Sequence, residues 1–83
     1  MKPDEIIQFK AALTALDRLG KLTAPAITNH VALAQCRPLP DIDGQHLIRK
    51  MIDKDWIGSY TDPVLEIIYY VIKPDGRNAL LSM

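Results

Sequence analysis

Residues 56–80 constrain the fold of this chain more than any other stretch of its 83 residues. They predict a strand over residues 57–61, a turn at residues 62–63, a second strand over residues 64–72 and a helix over residues 74–82. The second strand is predicted because it is rich in β-branched and aromatic residues, which fit a pleated sheet. Its apolar run is nearly unbroken, so we expect protein to cover both of its faces.

Three helical segments precede these strands. The first is predicted over residues 3–19, where apolar residues recur every three or four positions and Gly20 offers a left-handed stop. The second is predicted over residues 24–34, with Thr23 as its N-cap. The residues expected to face the core from these two helices are Ile6, Phe9, Leu13, Leu16, Ile27, Val31 and Ala34.

The third helix follows a connection that contains two prolines, which favour extended backbone. The helix should begin at Asp43, or at Asp41 if its first turn is loose, and end near Asp55. The residues expected to face inward are Leu47, Ile48, Met51 and Ile52. At about 100° per residue, the opposite face then carries His46, Arg49, Lys50 and Asp53, with Gln45 at its flank.

The composition is that of a globular protein, with apolar residues making up 48% of the chain. No apolar run approaches the roughly 20 residues of a membrane span. Because the chain has 83 residues and its sequence contains no internal repeat, low-complexity tract or linker, we expect a single domain over residues 1–83. The first residues show no apolar signal core, and the one cysteine, Cys36, cannot form an internal disulfide. Both features favour a cytoplasmic setting.

The order of the elements and several short motifs resemble the winged helix-turn-helix domains of small bacterial and phage transcriptional regulators of the MarR/PadR type. Residues 22–23 open the second helix and residues 54–57 lead into the hairpin, or wing. Those families often close the wing with the pattern Tyr-x-Leu-Thr-x-x-Gly-Arg. Its counterparts in this sequence are Tyr70, Ile72, Lys73, Gly76 and Arg77, with Lys73 where threonine is usual.

This resemblance implies an α+β winged-helix fold with three helices, a two-stranded hairpin and a short C-terminal helix. It also implies double-stranded DNA as the partner, with the third helix in the major groove and the hairpin beside the backbone. The family's proteins regulate transcription, and the chain is interpreted accordingly as a small DNA-binding regulator.

The outward face of the third helix carries side chains suited to DNA. Glutamine can pair with adenine and arginine with guanine, while lysine suits a phosphate. The candidate residues on this helix are Gln45, His46, Arg49 and Lys50. The further candidates for phosphate contacts are Lys21, Thr23, Asn29 and Arg37. The alternative for the third helix is a solvated face on which Arg49 pairs with Asp53.

No metal, cofactor or enzymatic activity is predicted. His30, Cys36 and His46 lack the Cys-x-x-Cys or His-x-x-x-His spacing of metal sites. The sequence also contains no phosphate loop, no dinucleotide fingerprint and no Ser-His-Asp arrangement.

Charge leaves a second interpretation open. Ten Lys plus Arg balance ten Asp plus Glu, whereas DNA-binding domains usually carry a basic excess. The hairpin tip at residues 60–63 is acidic, and the hairpin is otherwise apolar. These features favour a winged-helix protein-interaction module or inhibitor subunit. The apolar surface also suggests a homodimer, formed through the first helix and the C-terminal segment.

Overall fold

Four helices and a two-stranded antiparallel sheet form the part of the chain that the structure, a computed structural model, describes (residues 2–83). The elements run in the order α1 (Pro3–Leu19), α2 (Ala24–Gln35), α3 (Asp41–Asp53), β1 (Ile57–Thr61), β2 (Ile68–Ile72) and α4 (Pro74–Leu81). The predicted order of three helices, a hairpin and a last helix is confirmed. This arrangement is a winged helix, of the α+β class.

The core lies where the first three helices meet the start of the hairpin. Its buried side chains come from α1 (Phe9, Ala12, Leu13, Leu16), α2 (Ile27, Val31), α3 (Leu47, Ile48, Met51) and β1 (Ile57). Trp56 packs against one side of the core, with its ring nearly perpendicular to that of Phe9 and 5.2 Å between centroids. Such contacts among large apolar side chains supply most of the stability of a small domain.

Three expected core residues are exposed instead. Ile6 and Ala34 lie at the surface, and Ile52 is 41% exposed. Ile52 is near the end of α3, where it lines a depression beside Tyr70 of the hairpin rather than entering the core. The helical periodicity identified the correct faces of the helices but not where the core ends along them.

The third helix begins at Asp41, the earlier of the two predicted starts, and ends at Asp53. It stops short of the predicted end because Asp55 has a φ of 61°, in the left-handed region. Aspartate tolerates this conformation better than most residues. Asp55 thereby turns the chain from the helix into the hairpin.

Thr23 occupies the N-cap position of α2, but its hydroxyl makes no capping hydrogen bond. The predicted side-chain cap is therefore wrong. Pro25 follows two positions later, and proline lacks one of the backbone N–H groups to which a cap would bind. The Thr23 hydroxyl makes no other hydrogen bond within the described residues.

The hairpin pairs Ile57 with Ile72 at its base and Thr61 with Ile68 at its far end. The predicted second strand over residues 64–72 is therefore too long, and the predicted two-residue turn is a six-residue loop over residues 62–67. The Asp62 carboxylate accepts hydrogen bonds from the backbone N–H groups of residues 64 and 65, at 2.8 and 3.0 Å. Because those amides bind a side chain, they cannot join a strand ladder.

The second strand is not covered on both faces, as its apolar run had suggested. Ile68 is exposed and the remaining four residues are half-buried. An isolated β-bridge does cover the outer edge of this strand. The backbones of Leu22 and Tyr70 exchange hydrogen bonds of 3.1 and 2.8 Å, so the segment between α1 and α2 fastens the hairpin to the helices.

The Gly-Arg pair that closes the wing has a structural role. Gly76 is buried in the first turn of α4, where an added Cβ would collide with the backbone carbonyl of Trp56. Arg77 makes an ion pair of 3.1 Å with Asp17 of α1. These two residues thus seat α4 on the hairpin base and on α1.

Across residues 2–83, every helix is too short or too polar to traverse a lipid bilayer.

Candidate nucleic-acid interface

The third helix turns a polar face outward beside the hairpin. Leu47, Ile48 and Met51 anchor the helix in the core. The side chains on its other face are exposed, and they are Gln45, His46, Arg49, Lys50 and Asp53. The buried anchor that the sequence-based hypothesis requires of α3 is therefore present. The outer face of α3 has two sides, one next to the hairpin and one next to α1.

On the hairpin side, Gln45 and Arg49 line an open depression of about 470 Å³. Ala24 at the start of α2 and Tyr70 of β2 form its other walls, together with Ile48, Ile52 and Asp53 of α3. Within residues 2–83, Arg49 makes no ion pair, so the Arg49–Asp53 pair of the alternative interpretation is not formed. The Arg49 guanidinium is therefore available to a ligand from outside.

On the α1 side, Lys50 is held by the protein itself. Its Nζ donates to Oε1 of Glu5 in α1 at 2.7 Å, and His46 lines the same small polar depression. The hydrogen bond and charge of Lys50 hold the pKa of the Glu5 carboxyl below its usual value. Both groups are in contact with solvent, so an external anion can compete for Lys50.

Lys21 lies in the segment between α1 and α2, just before the Leu22–Tyr70 bridge, and its side chain packs against the hairpin. Its Nζ is 4.6 Å from the ring centroid of Tyr69, which stacks on Tyr60 at 5.7 Å. Cation–π contact leaves an ammonium exposed on its outer side. Lys21 can therefore contact an anion beside the hairpin while it stays on the Tyr69 ring.

The remaining candidates are spread over the helices. Thr23 precedes Ala24 and so lies at the edge of the depression that holds Arg49, whereas Asn29 is an exposed residue in the middle of α2. Arg37 is paired with Asp4 at the start of α1, at 3.3 Å. The structure thus brings Gln45, Arg49 and the start of α2 together and holds Arg37 at the α1 side.

Internal ion pairs reduce the charge available to an anion. In the described part of the chain, Arg37, Lys50, Lys73 and Arg77 each pair with a carboxylate. Exposed aspartates, Asp41, Asp43 and Asp53, lie among the cations of α3. The outer face of α3 is consequently mixed in charge, which favours selective contacts over strong attraction to any polyanion.

The exposed apolar loop of the hairpin was not foreseen. Val64 is 86% exposed and Leu65 is 59% exposed, although both had been assigned to a covered strand. The signal that could have revealed the loop is the Asp62-Pro63 pair, since aspartate binds nearby amides and proline interrupts a ladder.

His30, Cys36 and His46 do not form a metal site in this structure. Over residues 2–83, no three His, Cys, Asp or Glu side chains gather in an arrangement that could hold a metal ion.

No protein-family model matches the sequence, and no curated protein matches it. Solved structures do match the fold. A transcriptional regulator from Clostridium thermocellum superposes with a TM-score of 0.80 at 16% sequence identity, covering 99% of this chain and 82% of that one. Bordetella bronchiseptica BpsR, whose DNA binding is regulated by 6-hydroxynicotinic acid, superposes with a TM-score of 0.76 at 18% identity. The match covers 100% of this chain and 53% of BpsR, so the chain spans about half of that protein. At these identities the likeness establishes the winged-helix fold alone.

Proposed function

We propose that this protein is a small DNA-binding transcriptional regulator of bacterial or phage type. In this proposal α3 enters the major groove and the hairpin lies beside the backbone. The observation that carries the proposal is Arg49, which makes no ion pair within residues 2–83 and is exposed with Gln45 on a core-anchored helix next to the hairpin. The fold is shared with a transcriptional regulator and with a protein whose DNA binding is regulated, which supports this choice.

Each candidate residue has a part in this mechanism. Arg49 and Gln45 would read base edges, since both have bidentate hydrogen-bonding groups. His46 would contact a base or the backbone from the α1 side of the helix. Lys50 would leave Glu5 and bind a phosphate instead. It lies on the same helix face as Arg49, so both side chains would meet the DNA together.

The phosphate contacts would come from the elements that flank α3. Lys21 would contact the backbone from beside the hairpin. At the start of α2, Thr23 would offer its hydroxyl, which makes no hydrogen bond within residues 2–83. The N-terminal amides of α2 favour an anion at the same place. Asn29 and Arg37 would extend the contact along α2 and its following loop, with Arg37 released from Asp4.

Binding of a labelled duplex, chosen from a random pool by repeated selection on the protein, tests this proposal. Fluorescence anisotropy should show binding that weakens as salt rises. Arg49→Ala should cost about 1–3 kcal/mol on the selected duplex, as expected for loss of a guanine contact. Arg18→Ala is the matched control, because Arg18 is an exposed arginine on α1, outside α3 and the hairpin. Equal losses in the two variants, or no duplex binding at low salt, would contradict the proposal.

A second function is favoured by the apolar hairpin loop. Exposed Val64 and Leu65, together with the equal numbers of acidic and basic residues, suit a winged helix that binds a protein and not DNA. This module would fail to select any duplex. Its hairpin loop, rather than Arg49, would then carry the binding.

A further inference from the structure

An open groove of about 490 Å³ runs between α1 and α2, away from the outer face of α3. Its floor is apolar and shallow because alanines form it. The floor residues are Ala11, Ala15 and Ala34. Ile7 and Leu19 lie at its two ends and are 49% and 57% exposed. Small residues between two larger apolar ones leave room for side chains from outside.

Apart from the neutral Thr14, the polar residues that line this groove are basic. Lys10 and Arg18 line it from α1 and His30 lines it from α2, whereas no carboxylate is among its lining residues. Within residues 2–83, neither Lys10 nor Arg18 forms an ion pair. At the Ile7 end, the groove meets the mutually paired Asp4 and Arg37. The groove is therefore positive in a chain whose total charge is zero.

The length of the groove limits what can fill it. Ile7 and Leu19 are twelve positions apart on one helix, which corresponds to about 18 Å at 1.5 Å per residue. A helix of about three turns spans that distance, whereas a small molecule would cover only part of it. Helices commonly bind by laying an apolar stripe into a groove of this kind.

We propose that this groove binds an acidic amphipathic helix of a partner protein. The partner's apolar stripe would lie on the alanine floor, and its carboxylates would face Lys10 and Arg18. This inference is independent of the proposed DNA binding, since no residue of α3 or of the hairpin lines the groove.

A second copy of this chain fits the groove less well. A symmetric dimer formed across the groove would set this patch against its own copy. Because the patch contains Lys10 and Arg18 and no carboxylate, its two copies would bring like charges together. Like charges brought together across an interface oppose association. The charge of the groove therefore favours a partner of opposite sign.

The test measures binding of the full chain to a fluorescein-labelled peptide designed as a leucine- and glutamate-containing amphipathic helix of about three turns. Anisotropy should show saturable binding that weakens with salt. Lys10→Glu combined with Arg18→Glu should weaken it at least about tenfold, since each substitution replaces attraction by repulsion. The control is Lys2→Glu combined with Lys54→Glu, which makes the same charge change at exposed lysines outside the groove.

Two further arms test the floor and the sign of the charge. Ala34→Glu places a carboxylate on the exposed floor and should also weaken binding, while thermal unfolding of each variant shows that it is folded. A peptide with lysine in place of glutamate should bind much more weakly. Unchanged affinity in the groove variants, or equal affinity for the lysine peptide, would overturn the proposal. It would also be overturned if the groove substitutions dissociated a dimer in sedimentation equilibrium, or if a small aromatic carboxylate bound there and the peptide did not.

Discussion

Lys50 has one partner in the free protein and another in the proposed complex with DNA. In the free protein its ammonium binds Glu5, 2.7 Å away. In the proposed complex it binds a phosphate. Both side chains of the present pair contact solvent, so water and salt screen their attraction, and exchange of one anion for another is inexpensive. In that complex Glu5 would compete with DNA for one of the few cations on the face of α3.

Glu5→Gln should therefore strengthen binding to a selected duplex by about two- to fivefold at low salt, because Lys50 is released and a negative charge is removed. Anisotropy titrations measure the change. Asp17→Asn is the matched control, since it removes the same charge from an ion pair made with Arg77. An equal gain in both variants would show that net charge alone is responsible, and Lys50 would have no special part.

The crossing of α2 and α3 is set by one small residue. An added Cβ on Gly44 of α3 would collide with the hydroxyl of Thr28, which donates to the carbonyl of Ala24 within α2. The glycine therefore lets the two helices approach each other, and this approach places α3 against the start of α2.

Gly44→Ala should destabilise the protein by about 1–3 kcal/mol through overpacking, partly offset by the better helix propensity of alanine, about 1 kcal/mol. Denaturant unfolding followed by circular dichroism measures the net effect. In a Thr28→Ala background the same change should be near neutral or stabilising, because the hydroxyl is gone. An equal loss of stability in both backgrounds would place the cause elsewhere.

The hairpin loop depends on the ionisation of Asp62. Hydrogen bonds from the backbone N–H of Leu65, and next from that of Val64, hold the pKa of this carboxyl below its usual value. A folded-state pKa below the unfolded one contributes stability above the unfolded pKa, about 3.9, and that stability is lost as the pH falls through the folded value. The loop should therefore loosen only in strong acid.

NMR titration checks this expectation at the amides themselves. The N–H resonances of Val64 and Leu65 should shift together, with a midpoint below that of an ordinary aspartate, and the transition should vanish in Asp62→Asn. Glu66→Gln, a change in the same loop, should leave the transition in place. A midpoint at or above the ordinary aspartate value would contradict the account.

At the level of elements, the sequence predicted what local periodicity controls. The bounds of α1 are as predicted, since Phe9, Leu13 and Leu16 form a regular stripe between a proline and a glycine. The errors arise where a side chain competes with the backbone or where distant segments meet. Asp62 shortens β2, and the edge of β2 pairs with Leu22, which lies far away in the sequence. Neither contact has a periodic signature.

The candidate site was predictable in part. The exposure of Gln45, His46 and Arg49 follows from the buried side of α3. The ion pairs of Lys50 and Arg37 do not follow from the sequence, because both involve the first turns of α1, and the packing of that helix sets which side chains meet. Roles for all these residues in DNA binding stay predictions.

For the whole molecule, we predict a dimer formed through an apolar surface that is separate from the basic groove between α1 and α2. A depression of about 440 Å³ there is lined by Ile6 of α1 and by the C-terminal residues Ala79, Ser82 and Met83, next to Trp56. This is the first-helix and C-terminal surface from which self-association was predicted. A stable interface buries about 1,600 Å² in total, so neighbouring exposed side chains such as Leu81 would have to contribute.

Ile6→Glu should shift a dimer toward monomer in sedimentation equilibrium, because it places an unpaired charge in the apolar contact. Leu33→Glu is the control, since Leu33 is an exposed leucine of α2 outside this surface. A monomer in the unaltered protein at high concentration, or a dimer unaffected by Ile6→Glu, would contradict this arrangement.

In the proposed function, the outer face of α3 and the adjoining hairpin form one DNA-binding surface. Amide chemical shifts recorded while a selected duplex is added to the 83-residue chain test this proposal most directly. We expect the largest changes at Gln45, His46 and Arg49 and along the hairpin, with little change at Ala11 and Ala15 in the groove between α1 and α2. Changes confined to that groove, or to the hairpin loop without α3, would contradict the claim.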